Sequence, residues 1–297
     1  MTTVSNKIKP SKGDRIFSGI VLTILVIFCF LVLYPLYYMF IVSISDGNAV
    51  MRGEVSLYPV GINWDTYKFI LSDSYIPQAY KNTIIYTVSG VLVNVIMTAL
   101  CAYPLARKKF YGRRFFTLMI IFTMFFDAGM VSNYMLVNSL GIHNTIWAII
   151  LPGAINVWYM IIMRTFFSNI PEELYESAYI DGANDLTIFV KIALPLSKAV
   201  LATMILFYAV SHWNSFFPEL IYLDDRAKFP MQLILRNIVL GSDAGASAAT
   251  SVAADGAILG LNIKYAVVFI TVLPILVVYP FVQKYFVKGA MVGSVKG

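Results

Sequence analysis

Side chains that could do chemistry are densest in one polar segment, residues 164–198, which lies between two apolar runs. Three carboxylates stand together there: Glu172, Glu173 and Glu176. Carboxylates form charge-assisted hydrogen bonds with basic groups of a partner. Pro171 suits a first helical turn, Gly182 would end that helix, and Asn184 or Asp185 can cap a second one. The segment thus predicts a short helix-turn-helix, for which periodicity alone favours packing against neighbouring helices over docking of another protein.

Neither a catalytic centre nor a metal site is expected from the remaining reactive residues. The two histidines, His143 and His212, are far apart in the chain, and neither Cys29 nor Cys101 has a CxxC partner. The P-loop pattern GxxxxGK[ST] does not occur in the sequence. We therefore predict a non-enzymatic chain without its own ATPase site or cofactor.

Composition indicates that the polar segment belongs to a membrane protein. Apolar residues make up 59% of the 297 residues and charged residues 13%, whereas soluble domains average about 45–50% and about 25%. The net charge of +6 does not indicate nucleic-acid binding, because the basic residues cluster beside apolar runs. Cationic residues in such places are a signal of membrane topology.

Six apolar segments are long enough to cross a bilayer, which takes about 20 residues. They predict an all-α membrane protein with spans at Ile16–Ile44, Asn82–Leu105, Phe115–Met135, Thr145–Met163, Ala199–Leu223 and Tyr265–Val287. The runs are continuous, as in helical spans, whereas a barrel would show alternating residues. The first run is too long for a signal peptide and lacks a cleavage motif.

Lys and Arg predict that both termini are cytoplasmic, since 15 of the 22 fall on one side of this arrangement. The predicted divisions are a cytoplasmic segment 1–15, a six-helix membrane domain 16–290 with outer loops 46–81 and 224–264, a cytoplasmic loop 164–198 and a cytoplasmic tail 291–297. Small residues fill 241–256, which we expect to be either a mobile linker or a docking site for an outside partner.

Polar and aromatic residues inside the spans are candidates for a solute pathway: Trp213, Asn214, Phe216, Phe217, Asn156 and Tyr159. Aromatic faces beside amides suit sugars, although packing and interface anchoring explain such residues as well. Asp127 and Glu219 are intramembrane carboxylates, often functional. Both lie near predicted outer boundaries, where exposure to water explains them more simply.

Residue spacing in the cytoplasmic loop matches a known pattern. Glu176-Ser177-Ala178, Gly182 and Ile192-Ala193-Leu194-Pro195 follow EAA-x3-G-x9-I-x-L-P, with Ser177 in place of the second small residue. This pattern resembles the signature of integral-membrane subunits of binding-protein-dependent ABC importers. The stretches 102–107 (AYPLAR), 140–145 (LGIHNT) and 150–154 (ILPGA) are similar to the maltose-permease-like branch that imports oligosaccharides, and most of all to its LplC type.

The resemblance implies a type I ABC importer permease of the bacterial cytoplasmic membrane, with a coupling helix between the fourth and fifth spans. The residues that would contact the ATPase are Glu176, Ser177, Ala178, Asp181 and Gly182. Implied partners are a second six-helix permease, usually a different chain, two cytoplasmic P-loop ATPase subunits that bind ATP and Mg²⁺, an extracytoplasmic solute-binding lipoprotein, and an oligosaccharide. An importer of peptides or other solutes, or an ion-coupled secondary transporter, remains the alternative.

Overall fold

The computed structural model describes residues 11–72, 75–126, 128–243 and 256–294, and its regular elements are helices throughout that part of the chain. These helices are α1 Lys12–Ser43, α2 Gly47–Met51, α3 Asp65–Ser72, α4 Tyr75–Ala106, α5 Arg113–Phe125, α6 Gly129–Ser139, α7 Ile146–Ile150, α8 Val157–Ser168, α9 Glu172–Ile180, α10 Asp185–Ile188, α11 Leu194–Leu196, α12 Lys198–Trp213, α13 Phe217–Tyr222, α14 Met231–Asp243 and α15 Gly256–Ser294. A π-helical turn, Phe189–Ala193, joins α10 to α11, and a 3₁₀ turn, Arg226–Lys228, precedes α14.

Long apolar helices occupy the first, second and last predicted spans. Helix α1, helix α4 and residues 261–280 of α15 are each long and apolar enough to cross a membrane in one piece. Two bent pairs, α5 with α6 and residues 185–196 with α12, bring the number to as many as five within the described ranges if each pair forms one span. The prediction of an all-helical membrane protein is confirmed.

The structure corrects the other three predicted spans, which are not continuous helices. The third is divided between α5 and α6; Gly129 has a φ of +80°, and Asp127 lies outside the described residues. The fourth is interrupted at 151–156, where Pro152 lacks the N–H that a helix interior needs. The fifth ends at Trp213, since Asn214 turns its side chain back to the Val210 carbonyl.

Contacts between Cα atoms divide the chain into two compact units. The first comprises residues 1–70 and 244–270, and its described core gathers Ile41, Val42, Ala49 and Val55. The amide of Asn262 donates to the Ser45 carbonyl at 2.6 Å, which fixes α15 to the end of α1. Asp46 then caps α2 through its side chain. The predicted outer loop 46–81 is therefore largely ordered.

The second unit comprises residues 71–243 and 271–297 and is built around α4, which packs mainly against α8 and α12. Its core is apolar and rich in aromatic and sulfur-containing side chains, among them Tyr103, Met160, Met163, Phe167, Tyr175, Phe189 and Met204. Helix α14 occupies part of the predicted outer loop 224–264, and residues 244–255 of the small-residue tract lie outside the described residues.

A hydrogen-bonded latch joins the start of α4 to the turn that precedes α14. Asn82 donates to the carbonyls of Ala227, at 2.7 Å, and Phe229, at 3.1 Å. Tyr86 donates to the Lys228 carbonyl at 2.8 Å, and the Thr83 hydroxyl accepts from the Met231 amide at 2.8 Å. We call residues 82–86 and 226–231 the outer latch.

Candidate functional site

Both ends of helix α9 are stabilised by residue types that favour helix termini. Pro171 precedes its first residue, and Glu172 and Glu173 bring negative charge to the positive end of the helix dipole. At the other end Gly182 has a φ of +79°, a conformation that glycine adopts without steric cost. The Gly182 amide donates to Tyr179 O and the Ala183 amide to Ala178 O, which is the Schellman pattern. The predicted role of Gly182 in ending this helix is confirmed.

The inner face of α9 is held by the C-terminal end of α4. Tyr175 is 2% exposed, and its ring lies 6.5 Å from that of Tyr103. The Arg107 guanidinium carbon lies 3.5 Å from the centre of the Tyr175 ring, a cation–π contact worth about 2 kcal/mol when desolvated. Arg107 also lies 3.4 Å from Glu172. The neighbouring Leu174 does not share this buried face and is exposed.

Burial and charge act in opposite directions at this contact. Removal from water raises the pKa of Tyr175, while the neighbouring Arg107 charge lowers it. The pKa of Tyr175 is raised overall, so its hydroxyl stays protonated beside the Arg107 cation. A more exposed pair, Lys109 Nζ and Glu176 Oε1 at 3.7 Å, adds little.

The second half of the loop runs from α10 into α12. Asn184 caps α10 by accepting from the Thr187 amide at 2.8 Å, as predicted. The Tyr179 hydroxyl donates to Asp185 at 2.5 Å. This hydrogen bond raises the pKa of Tyr179, and burial raises it further by a smaller amount. The chain then bends by 82° between Leu196 and Lys198. Pro195, which cannot donate to the preceding turn, stands beside the bend.

One surface of the loop faces outward and mixes acidic and apolar groups. Its exposed residues are Glu176, Ser177, Ile180, Asp181, Gly182 and Leu186. Ile180 is 86% exposed and Leu186 65%, so this surface combines apolar side chains with acidic ones. We call these six residues the docking surface. Ala178, predicted to take part in coupling, is instead buried, because it stands three residues after Tyr175 on the inner face.

Two of the predicted pathway residues meet at the start of α8. Asn156 lies in the break of the predicted fourth span and not within a continuous helix, and its side chain caps α8 by accepting from the Tyr159 amide at 3.2 Å. The main-chain N–H of Asn156 donates to the Tyr208 hydroxyl at 3.1 Å, and the centre of the Tyr159 ring lies 4.9 Å from that of the Tyr208 ring. Tyr208 in turn bonds Thr98 at 2.7 Å. These polar groups satisfy one another across α4, α8 and α12.

The other four pathway candidates lie at the break that follows α12, not inside a continuous fifth span as predicted. Trp213 donates from Nε1 to the Thr271 carbonyl at 3.2 Å, and its ring lies 6.2 Å from Tyr80. The Asn214 side chain bonds Val210 at 2.9 Å. Phe216 and Phe217 are partly exposed apolar rings, 40% and 51%.

Glu219 contradicts the expectation that it meets water. It is 1% exposed and accepts a hydrogen bond from the Ser215 hydroxyl at 2.9 Å. The buried carboxylate of Glu219, near the start of α13, is thus held by the hydroxyl of a residue four positions earlier in the chain. Its place beside the break that ends α12 explains why the sequence pattern misled.

Sequence reasoning passed over a buried polar contact between α4 and α12. The Asn94 amide lies 3.2 Å from His212 Nε2 and 3.3 Å from the Gly153 carbonyl. A Cβ at Gly90 would stand 2.6 Å from the His212 ring, so only glycine admits this ring. Tyr103 and Arg107 were likewise missed as anchors of α9, although the stretch 102–107 was singled out. Pairings this far apart in sequence leave no local signal.

Comparisons with known proteins extend across almost the whole chain. The family described as binding-protein-dependent transport system inner membrane component matches residues 79–292. The polygalacturonan/rhamnogalacturonan transport system permease protein YtcP of Bacillus subtilis is 39% identical, over 96% of this chain and 99% of that one. Protein LplC of the same organism is 41% identical over 89% of each. A chain of a bacterial ABC transporter involved in the import of the acidic polysaccharide alginate superposes with a TM-score of 0.86 at 36% identity, over 94% of this chain and 100% of that one.

Proposed function

The chain belongs to the family of binding-protein-dependent transport system inner membrane components, and we propose that it imports oligosaccharides or polysaccharide fragments as one of two permease subunits. Membership makes it a multi-pass protein of the cytoplasmic membrane and a transporter subunit. The substrate, the subunit arrangement and the coupling residues are the parts that we propose.

The observation that carries the coupling proposal is the docking surface on the α9–α10 loop. The loop is anchored on one side by Tyr175 over Arg107, while Ile180 and Leu186 stand exposed on the other. Exposed apolar side chains beside acids fit a partner surface with an apolar pocket and a basic rim. We infer that this partner is a cytoplasmic P-loop ATPase subunit, which binds the ATP and Mg²⁺ that the importer uses.

Transmission of movement follows from the same anchoring. Tyr103 belongs to the last turn of α4 and Arg107 directly follows that helix, while α12 begins after the bend at Ser197. A displacement of α9 by the ATPase would therefore push on α4 and α12 together. Those two helices carry the Asn94–His212 and Thr98–Tyr208 contacts, so the proposed path reaches the interior of the permease.

The sugar proposal is supported by the relatives. YtcP is named for polygalacturonan/rhamnogalacturonan transport, and the similar solved structure belongs to an importer of the acidic polysaccharide alginate. We propose a substrate of this class for the present chain, delivered by an extracytoplasmic solute-binding lipoprotein and passed between this subunit and a second, different permease. The rings of Trp213, Phe216 and Phe217 are the aromatic faces proposed to stack on it.

Purification of a tagged chain from its native membrane tests this assignment. We expect a P-loop ATPase, a second six-helix permease and a lipoprotein to be recovered together, and ATP hydrolysis by the reconstituted complex to rise with the loaded lipoprotein. Acidic and neutral oligosaccharides of equal length should be compared as the load. Recovery of the chain alone or as a homodimer under gentle detergent would contradict the proposal.

A further inference from the structure

Three arginines line a cleft that the coupling function does not use. The cleft measures about 380 Å³ and lies between the start of α5 and the end of α8, where its lining residues are Arg113, Arg114, Thr117, Leu118 and Arg164. Arg164 is oriented by a bond from its Nε to the Leu105 carbonyl at 3.0 Å. Arg113 and Arg114 form no ion pair with the described acidic residues. The cleft therefore collects positive charge without a visible counter-charge.

Two further features show that this charge is not merely a solvated surface. Helix α5 has thirteen residues and starts at Arg113 after Gly112, which offers its first turn no side-chain cap. Cations at the positive end of a helix dipole are unfavourable unless an anion lies with them. Thr117 is only 8% exposed, and its hydroxyl has no hydrogen-bond partner among the described residues. A buried hydroxyl without a partner is destabilising, and a bound hydrogen-bond acceptor would offset that cost.

The surroundings of the cleft fit a lipid. From it an apolar stripe runs along α5 through Phe115, Leu118 and Phe122, each more than half exposed in the chain. Spacings of three and four residues place these side chains on one helix face. Tyr111, 96% exposed, precedes them in the basic loop predicted to be cytoplasmic. A phosphate in the cleft would thus continue directly into a surface suited to acyl chains.

We propose that Arg113, Arg114, Arg164 and Thr117 bind the phosphate headgroup of an anionic phospholipid of the cytoplasmic leaflet, whose acyl chains lie along α5. Basic pockets between membrane helices on this side bind such headgroups in general. The arginines supply planar donors that match phosphate, and Thr117 supplies a hydroxyl donor. The occupied site would fix α5 to α8 beside the anchor of the coupling loop.

Native mass spectrometry of the full chain, with the subunits that copurify, tests this proposal. The probes are phosphatidylglycerol, phosphatidylcholine with the same acyl chains, and inorganic phosphate. We expect phosphatidylglycerol to be retained, and its affinity to fall about 25-fold in Arg113→Gln/Arg114→Gln, since each interfacial cation contributes about fivefold. The matched control is Lys108→Gln/Lys109→Gln, which removes the same charge from the same loop but not from the cleft, and its affinity should fall less than fivefold.

Thr117→Val provides a second variant of the same shape and is expected to lower retention without changing net charge. Equal losses in the two double variants would reduce the effect to bulk charge and overturn the proposal. Equal retention of phosphatidylcholine would also overturn the proposal. Retention of inorganic phosphate in place of the lipid would overturn it too, because it would indicate a site for a free anion. Retention by the isolated chain but not by the copurified complex would mean that a partner subunit covers the cleft, which also overturns it.

Discussion

The two ends of α4 are held in different ways. At the outer latch, Asn82, Thr83 and Tyr86 make short hydrogen bonds to main-chain atoms of residues 227–231. At the coupling end, Tyr103 and Arg107 hold α9 by ring and cation–π contacts, and the hydroxyls of Tyr103 and Tyr175 lack partners among the described residues. Hydrogen bonds weaken steeply when their angle changes, whereas stacked surfaces tolerate sliding. From this difference we propose that the outer end fixes the position of α4, whereas the α9 end transmits movement.

The strongest test breaks the outer latch. Asn82→Ala removes the hydrogen bonds to the Ala227 and Phe229 carbonyls and leaves both acceptors without this donor. We therefore expect a loss of about 1–3 kcal/mol in the free energy of unfolding. Asn82→Asp, which keeps the shape but loses the N–H donors, should fall as far. Thermal unfolding of the purified chain followed by Trp fluorescence measures both. Lys81→Ala, the exposed neighbour on the same helix, is the control; an equal drop there would show that the loss does not come from the hydrogen bonds of Asn82.

At the coupling end, a glycine substitution should impair partner binding more than global stability. Gly182→Val forces a β-branched residue to a φ of +79°, at a cost of about 1–2 kcal/mol. If docking of the ATPase requires that turn, its affinity should fall about 5- to 30-fold. Titration of the purified ATPase measures this. Gly53→Val is the matched control, with a φ of +72° and open space around it, and ATPase affinity should be unchanged there.

The same substitution at each end sharpens the comparison. Tyr86→Phe loses a hydrogen bond to the Lys228 carbonyl and is expected to cost about 1 kcal/mol. Tyr175→Phe removes a hydroxyl that has no described partner and keeps the ring under Arg107. The thermal unfolding midpoint of this variant should therefore equal that of the parent protein. Thermal midpoints of the two variants decide. A larger loss for Tyr175→Phe would reverse the proposed contrast.

The smallest effect is expected at the exposed ion pair. Lys109→Gln removes a contact of 3.7 Å between side chains that are both more than half exposed, and such pairs contribute about 0.2–1 kcal/mol or nothing measurable. Its thermal midpoint at low salt should differ little from the parent and should coincide with it at high salt. A large loss that persists in salt would place Lys109 among the anchors of α9.

The sequence was most informative where local rules decide the structure. The turn at Gly182, the cap at Asn184 and the charged start of α9 follow from residue types at fixed offsets, and the structure has all three. The helix breaks were less predictable, since Asn214 ends α12 with a side-chain bond that hydropathy does not register. The anchor of Arg107 on Tyr175 joins residues 68 positions apart and required the fold itself.

Residues on one short helix also divide between two roles that spacing alone did not separate. Ala178 belongs to the motif, yet it is buried, whereas Ile180 lies outside the motif and is 86% exposed. A small residue is needed at position 178 because α9 packs closely there. A pattern of residue types therefore located the loop that we propose as the docking element, but it did not separate the exposed side chains of that loop from the buried ones.

The most direct test of the coupling account is site-specific crosslinking from the docking surface. A variant with Cys29→Ser and Cys101→Ser, carrying Ile180→Cys, would be reacted with a short bifunctional reagent in native membranes, beside a matched variant carrying Tyr111→Cys. We predict that Ile180→Cys crosslinks to a P-loop ATPase, that the yield changes when ATP is added, and that Tyr111→Cys, at a position that is at least as exposed, gives no such product. Failure of Ile180→Cys to crosslink while the ATPase copurifies, or an equal yield from Tyr111→Cys, would contradict the account.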